Sequence, residues 1–111
     1  MKVSDLEGSL GYEALFVPDG SEQILDGYTS DLLSDVMANA PDGGVLITIQ
    51  AHKNTIAVCG LAGLKAVVLC NGRRPDEGML EAAGSDSIAL FSTSRTQFQV
   101  SADIAGRLAA S

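Results

Sequence analysis

Three short apolar runs constrain this chain more than anything else in it: Val45-Leu46-Ile47-Thr48-Ile49, Lys65-Ala66-Val67-Val68-Leu69-Cys70, and Ile88 to Phe91. The first follows Gly43-Gly44 and is continuously apolar and β-branched, the pattern of a strand buried on both faces. Between the runs lie segments of helical length. Thr55 to Leu64, capped by Asn54, is apolar nearly all round (Ile56, Val58, Cys59, Leu61, Leu64), with Gly60 and Gly63 leaving room for a close neighbour. Asp76 to Ala83 places Met79, Leu80 and Ala83 on one side. Strands alternating with helices of this length predict an α/β fold: a β-α-β-α-β unit forming a mostly parallel sheet with right-handed crossovers, flanked by helices.

The flanking segments are read from their punctuation. Ser4 with Glu7 three residues on has the spacing of a capping box and predicts a short helix, ended by Gly8 and Gly11. Tyr12 to Val17 reads as a strand stopped by Pro18-Asp19-Gly20, and Gln23 to Tyr28 as a second extended piece. Thr29-Ser30-Asp31 predicts the cap of a helix whose Leu32, Leu33, Val36 and Met37 form one buried stripe before Pro41. Thr93 or Ser94 is the expected cap of a last helix with an apolar face of Phe98, Ala102, Ile104, Ala105 and Leu108. Arg107 suits its carboxyl end.

At 111 residues this is one domain, spanning residues 1–111. A net charge of −7 argues against a grip on nucleic acid or on an anionic membrane surface. No apolar stretch approaches the roughly 20 residues that a membrane-spanning helix needs. Met1 to Leu10 lacks the apolar segment of a signal peptide, so a cytoplasmic location is expected. Residues 1–50 hold nine acids and one base, residues 51–111 five acids and six bases, so the acid is concentrated in the first half. Cys59 and Cys70 sit inside apolar runs and read as buried reduced thiols. With one histidine and no CxxC or HxxxH spacing, no metal site and no cofactor is expected.

In parallel sheets, ligands gather beyond the carboxyl ends of the strands, where helix N-termini present free N–H donors. The loops there are polar and each carries a cation: Gln50, Ala51, His52, Lys53 and Asn54 after the first run; Asn71, Gly72, Arg73 and Arg74 after the second; Ser92, Thr93, Ser94 and Arg95 after the third. Together with Ser30 and Asp31 they suit a small anionic or phosphate-bearing ligand, with Arg73 or Arg74 as a bidentate clamp. Candidate binding residues are therefore Ser30, Asp31, Gln50, His52, Asn71, Gly72, Arg73, Ser92 and Thr93. Polar caps at helix starts, which any α/β fold needs, are the competing reading. No catalytic residue is assigned, because His52 lacks a nucleophile and an orienting acid at any telling spacing. Asp31 and Asp35, four apart, read as solvated carboxylates rather than a cation pair. Neither GxxxxGK[ST] nor GxGxxG occurs, which excludes P-loop phosphoryl transfer.

Gly27-Tyr28-Thr29-Ser30-Asp31-Leu32-Leu33-Ser34-Asp35-Val36, Ala38-Asn39-Ala40 and Ile47-Thr48-Ile49-Gln50-Ala51-His52 resemble the DRTGG domain family, related to the N-terminal domain of HPr kinase/phosphorylase. The likeness continues through Ala57-Val58, Leu61-Ala62-Gly63, Val67-Val68-Leu69-Cys70-Asn71-Gly72, Pro75-Asp76 and Leu90-Phe91-Ser92-Thr93. The Asp-Arg-Thr-Gly-Gly string itself is absent. The resemblance implies an HPr kinase N-terminal-domain-like fold and a regulatory or dimerising module. Such modules are otherwise found within phosphotransacetylases, beside adenine-nucleotide-sensing CBS domains, or near iron-only hydrogenase systems. It does not imply kinase activity, whose P-loop lies in a separate domain. The expectation is a non-enzymatic, homodimeric sensor of a small anionic or adenine-nucleotide ligand, with the helix around Gly60 as the dimer surface. The alternatives are a scaffold docking a basic protein on its acidic half, and a small enzyme with an unrecognised site.

Overall fold

The computed structural model describes residues 1–110, with a five-stranded sheet between two helical layers. The elements are α1 (Asp5–Gly8), β1 (Glu13–Phe16), β2 (Gly27–Thr29), α2 (Leu33–Asn39), β3 (Val45–Thr48), α3 (Lys53–Ala62), β4 (Ala66–Leu69), α4 (Glu77–Asp86), β5 (Ala89–Ser92) and α5 (Gln97–Ala109). Strand order is β1-β5-β4-β3-β2. β2, β3, β4 and β5 run parallel, and β1 lies antiparallel against β5 at the far edge. The two N-terminal extended segments therefore finish on opposite edges of one sheet.

β2 to β5 step across the sheet in one direction, and crossovers of one hand then carry their helices to the same face. α2, α3 and α4 form that layer, packing Val36, Ile56, Cys59, Met79 and Ala83 onto Leu46, Val67, Leu69 and Leu90. The other face takes the alternate strand residues: Val45, Ile47, Ala66, Val68, Ala89 and Phe91 pack against Leu6, Tyr12, Val100 and Ile104 from α1, the loop after it, and α5. Every residue of β3, β4 and β5 is buried, which is why these strands are apolar without alternation. Cys59 and Cys70 fall in different layers, on opposite faces of the sheet, as free thiols. Burial pushes them up to about 12 and about 11, the nearby Asp31 charge adding to the second.

Several local expectations are corrected. Ser4 makes no side-chain cap; instead the Asp5 carboxylate accepts from the Lys2 amide at 2.8 Å. α3 begins at Lys53 after His52, so Asn54 lies inside its first turn. The cap of α5 is Thr96 rather than Thr93 or Ser94, and Thr96 with Gln99 completes a capping box. The helix cap read at Thr29-Ser30-Asp31 is not formed, since α2 starts after Leu32 with no side-chain cap, and Asp76, read as the first residue of its helix, is instead the cap of α4 and accepts from the Met79 amide. Only Val36 of the α2 stripe is fully buried, with Leu32 and Met37 exposed. α3 is not covered on most sides: Leu61 is 77% exposed, and on α5 Phe98 is 85% exposed. Gly63 ends α3 at φ +77°, where a Cβ would collide with the Asp42 carboxylate.

Candidate functional site

All nine candidate residues lie at or just beyond the carboxyl edge of β2 to β5, because parallel strands send every exit loop to the same end. β1 is antiparallel, so its first residue, Glu13, joins them opposite Ser92. The residues do not form one contact cluster. They divide into two tied groups and a set of exposed side chains.

Asp31 is the centre of the first group. Its Oδ1 accepts from Thr48 Oγ1 at 2.8 Å, the Ile49 amide at 2.9 Å and Gln97 Nε2 at 3.0 Å. Gln50 Nε2 donates to the Asp31 carbonyl at 2.9 Å, and Thr55 Oγ1 donates to the Gln50 carbonyl at 2.8 Å. Partial burial raises the Asp31 carboxyl, but these three donors and the charge of Arg73 outweigh it and leave the group below its ordinary value. The carboxylate thus holds the exit of β2, the end of β3 and the first turn of α5 together. Ser30 Oγ accepts from the Leu32 amide at 3.2 Å, and the hydroxyls of Ser30 and Tyr28 lower Asp35, which also takes Asn39 Nδ2 at 2.9 Å. Asp31 and Asp35 have separate partners, and no group of metal-binding side chains occurs among the described residues.

The second group joins the loops after β4 and β5. Asn71 and Gly72 have φ of +58° and +69°, and the Arg73 amide donates to the Cys70 carbonyl at 3.1 Å, which makes a type I′ turn of the favoured Asn-Gly sequence. The Asn71 and Gly72 amides donate to the carbonyls of Arg95 and Thr93, both at 2.9 Å, and Ser92 Oγ donates to the Arg73 carbonyl at 2.9 Å. Those donors are engaged by protein. They shape the edge and hold Arg73 in place, so the turn is a frame and the side chains are what remains for a ligand.

The cations have different partners. Arg74 makes a bidentate pair with Glu13 at 3.0 and 3.1 Å, which lowers Glu13 and raises Arg74. Arg95 pairs with Asp103 at 3.1 Å, and Tyr12 donates to the same carboxylate at 2.9 Å; burial, then that bond, raises the phenol. The bidentate clamp expected of Arg74 is therefore spent on Glu13. Arg73 is exposed and its guanidinium joins no ion pair or hydrogen bond among the described residues. Exposed His52 and Lys53 stand at the start of α3. A cleft of ≈ 370 Å³ opens between the β4 and β5 exit loops and the start of β1, lined by Gly11, Glu13, Gly72, Arg74, Ser92, Thr93 and Ser94; Arg73, His52 and Lys53 lie outside its lining.

A larger cleft, ≈ 500 Å³, lies at the opposite end of the strands among Pro18, Asp19, Glu22, Gly60, Lys65 and Asp86. Three acids surround its one lysine, which is already paired with Glu22 at 3.0 Å, so it is a poor receptor for an anion despite its size. Sequence reasoning missed Thr48, Gln97 and Glu13 at the carboxyl edge. Thr48 was visible as the one hydroxyl inside an apolar run; Gln97 and Glu13 gave no local sign, since their partners lie 66 and 61 residues away.

No family model and no curated protein matches the sequence. A solved structure does match: the CBS and DRTGG domains of the regulatory region of Clostridium perfringens pyrophosphatase, in complex with its activator diadenosine tetraphosphate. The TM-score is 0.70 at 14% sequence identity over 90% of this chain, which spans 44% of that one. At that identity the likeness speaks for architecture alone. The expected α/β architecture and its resemblance are upheld together: in fold, this chain is a DRTGG-like domain.

Proposed function

We propose that the chain is a non-enzymatic regulatory module that binds a small anionic ligand of the adenine-nucleotide class at the carboxyl edge of its sheet and works as a homodimer. The observation that carries the ligand reading is Arg73, the one arginine of this edge without a carboxylate partner among the described residues, held by a turn braced from the β5 loop. The turn fixes the Arg73 main chain, and the unpaired guanidinium it carries presents a planar fork of donors that matches phosphate oxygens. The solved regulatory region of similar fold is complexed with a nucleotide activator, which supports the same class of ligand. The buried, high-pKa thiols of Cys59 and Cys70 are poor nucleophiles, and exposed His52 has no orienting acid among the described residues, so a regulatory role fits the chain better than a catalytic one. Docking of a basic protein on the acidic half has less support, because Asp5, Glu13, Glu22, Asp31 and Asp35 are already engaged within the chain.

Thermal unfolding against ATP, ADP, AMP, diadenosine tetraphosphate and inorganic triphosphate tests the ligand. A ligand at one hundred times its Kd adds about 2.7 kcal/mol to native stability, several degrees in a domain of this size. A saturable shift that Arg73→Ala abolishes is the expected result. No shift with any of the five, or a shift unaffected by Arg73→Ala, refutes the site.

A further inference from the structure

Four glycines of this chain directly follow an aspartate or an asparagine: Gly20, Gly27, Gly43 and Gly72. Such pairs are chemically fragile, because glycine has no side chain to keep its nitrogen from the Cγ atom of the preceding residue, one bond short of a five-membered ring. At the Asp-Gly pairs the reaction is slow, since an ionised carboxylate has no ready leaving group. The Ser21 hydroxyl and amide, at 2.6 and 3.0 Å, further hold the Asp19 carboxyl below its ordinary value. Asn71-Gly72 differs, because a carboxamide is neutral and loses ammonia. Asn71 is exposed and its carboxamide makes no hydrogen bond among the described residues, and a Cβ on Gly72 would meet nothing within 4 Å. No side chain therefore obstructs ring closure there. What restrains it is main chain: the Gly72 amide donates to the Thr93 carbonyl at 2.9 Å, and the Arg73 carbonyl accepts from Ser92 Oγ at 2.9 Å. The other two asparagines, Asn39 and Asn54, precede Ala40 and Thr55, whose side chains crowd the ring and whose amides bond to Val36 and His52.

We propose that Asn71-Gly72 is a latent deamidation site, closed while the β4 and β5 exit loops are joined and converted when they part. The Gly72 nitrogen attacks only after losing its proton, and in the joined loops that proton is held by the Thr93 carbonyl. Once the loops separate, the nitrogen gives its proton to a base in solvent and bonds to Asn71 Cγ. The Cγ–Nδ2 bond breaks, and the side-chain nitrogen leaves as ammonia. Water then opens the succinimide at either carbonyl, giving aspartate or isoaspartate at position 71. In sum, one carboxamide and one water become one carboxylic acid and one ammonia, so neither an oxidant nor a second substrate is required. Ser92 governs how often the loops part, because its hydroxyl ties the β5 exit to the peptide that follows Gly72. The product carries a new negative charge two residues before Arg73. That is about 7 Å of chain at most, inside the screening length of roughly 10 Å at 0.1 M salt. One consequence rests on the anion site proposed above: the new carboxylate offsets the free charge of Arg73, so chains that have opened often lose their ligand. The modification itself needs no ligand.

Peptide mass spectrometry of the full chain, aged at mildly alkaline pH either folded or in urea, reads the conversion directly, with Asn39 and Asn54 as internal references. Loss of Asn71 is expected to be slower in the folded parent than in the unfolded chain by roughly tenfold or more, and several-fold faster in folded Ser92→Ala than in the folded parent. An unfolded chain in which Asn71 lasts as long as Asn39 and Asn54 overturns the site. A folded parent that converts as fast as the unfolded chain overturns the protection, and Ser92→Ala at the parent's rate overturns the brace. Hydrogen exchange of the Gly72 amide in the parent measures the same opening without a substitution: slow exchange is expected, and exchange at the rate of an open peptide overturns the closed state even if Ser92→Ala does not fold. The consequence for the ligand is read separately, from thermal shifts with ATP and inorganic triphosphate. Asn71→Asp is expected to reduce the parent's shift. An equal shift overturns the loss of ligand alone, and a parent that shifts with neither compound overturns the anion site while the rates of conversion stand.

Discussion

The two ends of the sheet are closed by different means. At the carboxyl end, side chains do much of the tying: Asp31 gathers Thr48, Ile49 and Gln97, Ser92 braces the turn at Asn71-Gly72, and Glu13 holds Arg74. At the amino end, main chain does it: the Gly43 amide donates to the Gly63 carbonyl at 2.8 Å, the Lys65 amide to the Gly44 carbonyl at 2.8 Å, and the Leu25 amide to the Gly43 carbonyl at 3.0 Å. Glycines let the amino-end loops pass close together, at the cost of leaving few positions there free to vary. Side-chain ties let the carboxyl-end loops keep their course while neighbouring residues present polar groups outward. The end with the larger cleft is therefore the one closed by main chain, and the end with the smaller cleft the one closed largely by side chains.

Substitution at each end should separate these two kinds of closure. Gly63→Ala meets both a left-handed backbone and the Asp42 carboxylate, and is expected to destabilise by about 2 to 3 kcal/mol in urea unfolding. Gly72→Ala at φ +69° has open space for its Cβ, so only the backbone penalty of about 1 kcal/mol should appear. Equal losses at the two glycines would erase the contrast. Asp31→Ala leaves the buried Thr48 hydroxyl without its acceptor and is expected to cost about 2 kcal/mol. Its pH dependence has a definite sign. The folded-state value is lowered, so the unfolded chain binds the proton more readily; the contribution is present above the ordinary carboxylate pKa of about 4 and is lost as pH falls below it. The stability gap between the parent and Asp31→Asn should accordingly narrow from pH 7 to pH 3 in parallel denaturation curves; a constant gap would remove Asp31 from the account. Thr96→Ala, which breaks the capping box, should cost about 1 kcal/mol by the same assay. Arg74→Ala removes an exposed pair and should change stability least of all, detectable mainly as a loss of salt sensitivity.

What could be read from sequence follows the range of the forces involved. β3, β4 and β5 were legible because burial on both faces leaves an unbroken apolar run, and all three appear within a residue or two of the expected bounds. Asn71-Gly72 was read only as part of a polar exit loop, although the turn it forms has needs as local as its two positive φ angles. Helix starts were less legible, since several neighbouring residues can serve as caps and tertiary contacts choose among them: Thr96 was taken instead of Thr93 or Ser94 because Thr93 Oγ1 accepts from the Arg95 amide at 3.2 Å within the preceding loop. The Ser4 box failed because Ser4 itself has helical backbone angles, φ −62° and ψ −21°, where a capping residue needs an extended conformation. Asp31 read as a helix cap or a solvated acid, whereas its partners come from β3 and α5. A hub whose donors lie 17 and 66 residues away has no signature in a window of sequence.

The placement of the two cysteines gives the protein a built-in pair of reporters. Cys59 lies beneath the three-helix layer and Cys70 beneath the layer of α1 and α5, each shielded in the folded chain and each a competent thiol once exposed. The rate at which a thiol reagent modifies each one therefore measures how often its own side of the sheet opens. If the domain opens as one unit the two rates coincide. If the α5 layer lifts separately, Cys70 reacts first, and the difference in rate dates the opening of one face against the other.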